Sequence, residues 1–146
     1  MQTELRLFLV RHGAVVTLLG ALSGLAYAFV LTGDLSGSMR AWHLAHLQGV
    51  LTGILLIAAS SFITRLSLSP AIRIAAAYSF VITGYCYAIG PVFGAVTGVR
   101  GLEPAAPLSN LVMYTSNLVA SISIVVGLVL TIWGASKKQR LVPDDT

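Results

Sequence analysis

Charge is scarce in this sequence. Only 10% of its 146 residues are Asp, Glu, Lys or Arg, 56% are hydrophobic, and the mean hydropathy is +0.87. A soluble domain carries about 25% charged residues, so a water-soluble globular fold is excluded. Cysteine is nearly absent. Cys86 stands alone, which rules out an internal disulfide and a four-thiolate metal site; with no cation beside it in the sequence, it reads as buried and inert. Acidic side chains are missing from every long apolar run: Asp34 and Glu103 fall between runs, Glu4 precedes them, and Asp144 and Asp145 come after them. That removes a membrane-embedded carboxylate pair for acid–base catalysis and the carboxylate relay of proton-coupled transporters. Neither HExxH nor HxxxH occurs, so a zinc protease site has no support. The few cations sit at run ends and make no continuous basic groove, which argues against nucleic acid as a partner.

The sequence is rich instead in apolar runs. There are four, each about 20 residues or longer, the length that crosses a bilayer. They cover roughly 13–31, 41–63, 72–96 and 108–133, separated by GDLSGSMR, TRLSLSPAIR and TGVRGLEPAAP. Arg11 and His12 interrupt the first apolar stretch, and the run from Gly13 onward is too long for the apolar core of a signal peptide, so it reads as a retained span. The expected fold is an all-α membrane protein, one domain over 1–146, built as an antiparallel four-transmembrane-helix bundle. Arg6, Arg11, Arg65, Arg73, Lys137, Lys138 and Arg140 fall on one side and Arg40 and Arg100 on the other, which predicts both termini in the cytoplasm. The tail SKKQRLVPDDT reads as a solvated anchor beside lipid headgroups. Gly20, Gly24 and Ala28 repeat every four residues and predict close helix packing, and a bundle of this size invites an oligomer.

The second run opens AWHLAHLQGVLTG, residues 41–53. On a helical wheel centred on His46, Gly53 lies about 20° away, Gly49 about 60° on the same side and His43 about 60° on the other. His46 thus looks along a strip almost free of side chains. One reading is a haem, held by the imidazole and lying flat against that strip. The other is helix packing by the glycines, with His46 bonded across to a neighbour. His43, two residues into the run, reads as an interfacial residue, and so does His12. His46 lies about 5 Å deeper, where a polar side chain usually has a function.

Trp42, Ala45 and His46 match the Trp-x-x-Ala-His run of the styrene oxide isomerase family, and Leu51, Thr52 and Gly53 match that family's Leu-Asn-Gly triplet at the same offset, with Thr52 in place of asparagine. The His12–Gly13 pair and Gly84 are also similar. The resemblance implies a small four-helix membrane protein of a bacterial inner membrane, trimeric, with haem b at the subunit interface. His46 would be the axial iron ligand, with Gly49, Gly53 and Trp42 against the cofactor. The implied reaction is rearrangement of an aryl epoxide to an aldehyde, ferric iron acting as Lewis acid. In the third run Thr83 stands where the family has an aspartate, Tyr87 where it has an asparagine, and Pro91 where it has a tyrosine on the substrate side. The resemblance therefore implies a kept cofactor and a changed pocket for a small apolar substrate.

Asn110, Tyr114, Asn117 and Ser121 are spaced four, three and four, a stripe within about 60° on one helical face. Such a stripe faces protein or a cavity. It reads either as inter-helix hydrogen bonding or as a pocket wall in which Tyr114 and Asn117 meet a substrate oxygen. Tyr78 and Tyr85 share a face of the third run, away from Tyr87, and Pro91 is expected to kink or end the helix near Tyr87. Together with an iron electrophile, the candidate hydrogen-bonding groups are Thr52, Tyr87, Tyr114 and Asn117. Two other functions stay open on sequence: a non-enzymatic haem protein in which His43 or His12 supplies a sixth ligand, and a haem-free accessory or transport subunit.

Overall fold

The computed structural model describes residues 2–138. Arg140, Asp144 and Asp145 of the tail lie outside them, as does the side chain of Lys138. Four helices account for almost all of the described chain: α1 Gln2–Thr32, α2 Met39–Phe62, α3 Pro70–Thr97 and α4 Leu108–Lys138. Each is long and apolar enough to cross a membrane, and the chain is an integral membrane protein.

Local chemistry sets the helix ends. Ser38 caps α2 by accepting from the Ala41 amide, and Ser69 caps α3 by accepting from Ile72, with Pro70 in the first turn where its missing N–H costs nothing. Gly98 ends α3 in the left-handed region at φ 75°, its amide returning to the Gly94 carbonyl at 2.9 Å. Two boundaries differ from those read in the sequence. Helix α1 begins eleven residues before the expected start of the first span, because segment 2–12, with Leu9 in the core and Leu5 and Phe8 packed against it, continues it. Pro91 does not end α3, which runs on to Thr97. The proline is fully buried, and Gly90 and Gly94 on either side of it bring α3 against Ser116 and Met113 of α4. Close packing of a neighbouring helix is what makes an internal proline tolerable in a membrane.

The helices run antiparallel, as the pairs in contact show. Along α1, Gly13, Gly20 and Gly24 meet Gly53, Gly49 and His46 of α2 in descending order. Between α3 and α4, Gly94 meets Met113 and Thr83 meets Ala120. Helices α1, α2 and α3 all touch one another, whereas α4 packs chiefly on α3. The bundle is therefore a three-helix core with a fourth helix on its flank. Near the chain termini the core is Leu9, Leu56, Ile63, Ala77 and Phe80; at the opposite end it is Val30, Trp42 and Ala95.

Asn110 has a structural task in the α3–α4 connection. Its Oδ1 accepts from the Gly101 amide at 2.9 Å, and its Nδ2 donates to the carbonyls of Glu103 and Ala105. The sequence stripe thus loses its first member to loop closure. Asn110→Ala is expected to lower stability by about 1–3 kcal/mol through the unpaired amide and carbonyls, measured by denaturant titration in detergent, with no change in any bound chromophore.

Candidate functional site

His46 lies half-buried in the seam between α1 and α2. Its Nδ1 is 2.9 Å from the Gly20 carbonyl oxygen. A carbonyl only accepts, so Nδ1 carries the proton and donates. The imidazole is then held in the tautomer whose Nε2 keeps its lone pair, the arrangement in which metal-ligating histidines are usually found, with the second nitrogen donating to a backbone carbonyl. The seat for the ring is made by Gly24. A Cβ there would come within 2.5 Å of His46 Nδ1, and its three nearest neighbours would all be ring atoms of His46.

The glycine strip beside His46 is not open. A Cβ on Gly49 would sit 2.6 Å from the Gly20 Cα, and one on Gly53 would collide with Thr17 and come 2.8 Å from the Gly13 carbonyl oxygen. The backbone of α1 fills that face. Gly49 and Gly53 are helix-packing residues in this fold and do not form a free wall for a flat cofactor. Trp42 is buried with Val30 and Ala95 and borders an apolar cleft of about 320 Å³ between α1 and α3, lined also by Leu19, Ser23 and Val92. It is turned toward the core.

The other histidines are elsewhere. The His43 ring stacks on Tyr27, centroids 5.1 Å apart and planes inclined at 30°. His12 Nδ1 is 2.8 Å from the Tyr85 hydroxyl, and the His12 ring packs on Phe8, which in turn packs on Tyr78. His12 stands twelve positions before Gly24 on α1, about 18 Å along the axis, so it cannot share a metal with His46 of the same chain. Among the described residues no group of three His, Cys, Asp or Glu side chains converges.

The remaining site candidates divide between two places. Thr52 lies on α2, half-buried, with its hydroxyl donated to the Gln48 carbonyl at 2.6 Å. Tyr87 of α3 meets Ser121 of α4 at 3.2 Å, and Ser121 donates to the Asn117 carbonyl at 2.8 Å, so Tyr87 is the donor to Ser121. Tyr114 and Asn117 are half-buried on the same stripe, and their side chains make no hydrogen bond within the described residues. Thr83, the position of the family's aspartate, is buried and donates to the Ser79 carbonyl. Tyr87, Asn117 and Ser121 are brought together at the α3–α4 contact; His46 is not among them.

One residue escaped the sequence reading. Gln48 lies two positions beyond His46, and its Oε1 is buried without a partner. A neutral amide in mid-span was the available signal. An acceptor left unpaired in hydrocarbon costs about 1–3 kcal/mol and marks a place where a donor is missing.

No curated protein is a significant match to this chain. The family model for styrene oxide isomerase matches residues 5–136, which include α2 and α3 whole, nearly all of α1 and α4, and every residue of the His46 seat. This isomerase-type membrane protein belongs to the styrene oxide isomerase family.

Proposed function

We propose that the protein is a haem b-dependent membrane isomerase that rearranges a small apolar epoxide to a carbonyl compound. The observation that carries this is the His46 Nδ1 contact with the Gly20 carbonyl. It fixes one nitrogen as donor and leaves the other with a free lone pair, at a depth in the span where an idle imidazole would be costly.

Bound there, ferric haem supplies a Lewis acid for an epoxide oxygen. The chain does the rest. Gly20 and Gly24 hold the His46 ring in place. Asn117 and Tyr114 offer side-chain hydrogen bonds that the fold itself does not use, and Tyr87 is fixed beside them through Ser121. These neutral groups orient an uncharged substrate, and a redox-neutral rearrangement that neither gains nor loses atoms needs no carboxylate. An apolar substrate enters from the bilayer. Because His46 lies in the α1–α2 seam and the polar stripe at the α3–α4 contact, a pocket that uses both forms between two copies of the chain, and we assign the oligomer, by resemblance a trimer, that role. With seven cations at the terminal side of the spans against two, both termini face the cytoplasm.

The test is turnover of a panel of aryl and alkyl epoxides by haem-loaded protein. Asn117→Ala is expected to lower turnover about tenfold, the loss of one hydrogen bond worth about 1.4 kcal/mol in the transition state, with an unchanged haem spectrum. No product from any epoxide with the haem fully ferric sinks the isomerase reading.

A further inference from the structure

A second cleft, of about 350 Å³, opens between α1 and α3 at the end of the bundle where α1 begins and α3 begins. Its walls are apolar: Leu5 and Phe8 of α1 face Ile74 and Tyr78 of α3, with Phe8 and Tyr78 rings 5.2 Å apart. Its mouth is not. Arg73 and Glu4 both line it. The Arg73 guanidinium is held by its Nη2, which donates to the carbonyls of Leu66 and Leu68 at 3.0 and 3.1 Å. Its Nε is buried and has no acceptor. Tyr78 is five residues deeper than Arg73 on α3, about 7.5 Å toward the membrane centre. The cleft thus changes from charged to apolar along the direction of a lipid molecule.

From this arrangement we infer that the cleft is a binding site for a zwitterionic aminophospholipid of the phosphatidylethanolamine class. The phosphate meets the Arg73 guanidinium at the cleft mouth, a charge-assisted contact of the kind guanidinium favours. The ammonium meets Glu4, and one acyl chain lies along Phe8, Ile74 and Tyr78. The cation and the anion at the mouth together match a zwitterionic headgroup, whereas phosphatidylglycerol or a free fatty acid offers an anion to Arg73 and no cation to Glu4. The site is independent of His46 and of any cofactor.

The experiment is native mass spectrometry of the full chain in mild detergent, with dioleoyl phosphatidylethanolamine, dioleoyl phosphatidylglycerol and oleate offered separately. Phosphatidylethanolamine is expected to be retained at least tenfold better than the other two. Arg73→Gln is expected to lower that retention tenfold, and Glu4→Gln to erase the preference over phosphatidylglycerol. Arg73 also ties down the α2–α3 connection, so Ile74→Trp, which fills the apolar part and leaves the Arg73 contacts in place, serves as the second variant and is expected to lower retention as strongly. Unchanged phosphatidylethanolamine retention in Ile74→Trp, or equal retention of phosphatidylglycerol or oleate by the unaltered chain, overturns the proposal.

Discussion

Gly24→Leu is expected to abolish haem binding while leaving the bundle folded. The three heavy atoms nearest to a Cβ at this position all belong to the His46 ring, the closest at 2.5 Å. None is backbone, so the helices need not separate; the imidazole turns away instead. Turning breaks the Nδ1 bond to Gly20 and removes Nε2 from the position the proposed function assigns to it. Haem content is expected to fall at least tenfold, which corresponds to about 1.4 kcal/mol of binding. Haem per mole of purified protein, beside helical content and denaturant midpoint, reads the outcome. Full haem occupancy in Gly24→Leu would mean that the His46 seat is not the cofactor site.

Gly49→Leu is expected to act in the opposite way, on the fold first. Its Cβ would lie 2.6 Å from the Gly20 Cα, and a backbone atom cannot swing aside. Helices α1 and α2 must move apart along their whole glycine seam, and overpacking of this kind costs about 3 kcal/mol. The decisive comparison uses protein prepared without haem. If Gly49 packs helices, the haem-free variant is already less stable than the haem-free parent. If Gly49 were a wall for the cofactor, haem-free stability would be unchanged and haem binding alone would suffer.

These two glycines mark where the sequence could and could not be read. Run length and hydropathy sufficed for four membrane helices, because in lipid every backbone group must be satisfied within a helix and the apolar run is the only cheap way to do it. His46 stands out in the sequence as a position, since a polar side chain one turn below the interface contrasts with an apolar background. The glycines beside it were ambiguous. A wheel gives the angle of Gly49 and Gly53 to His46 but not what fills the space, and the partner proved to be Gly13, Thr17 and Gly20 of α1. Gly24 read as one more packing glycine, and its contact with an imidazole 22 positions further along the chain has no local signature. Pro91 read as a kink or an end to α3 for the same reason. Its burial between Gly90 and Gly94 against α4 is a property of two helices together. The polar stripe of α4 split in a way that spacing does not reveal, Asn110 closing a loop and Ser121 pairing with Tyr87. Gln48 was overlooked because glutamine forms helix readily; only its unpartnered oxygen sets it apart.

The central claim is that His46 binds iron through the nitrogen that Gly20 leaves free. It is tested most directly by the absorption spectrum of ferric protein in mild detergent, with His46→Ala purified and haem-supplemented alongside. A strong haem band of five-coordinate, high-spin form in the parent, absent from His46→Ala and restored there by added imidazole, is the predicted result. An equally strong band in His46→Ala, or no band in either protein, would contradict it.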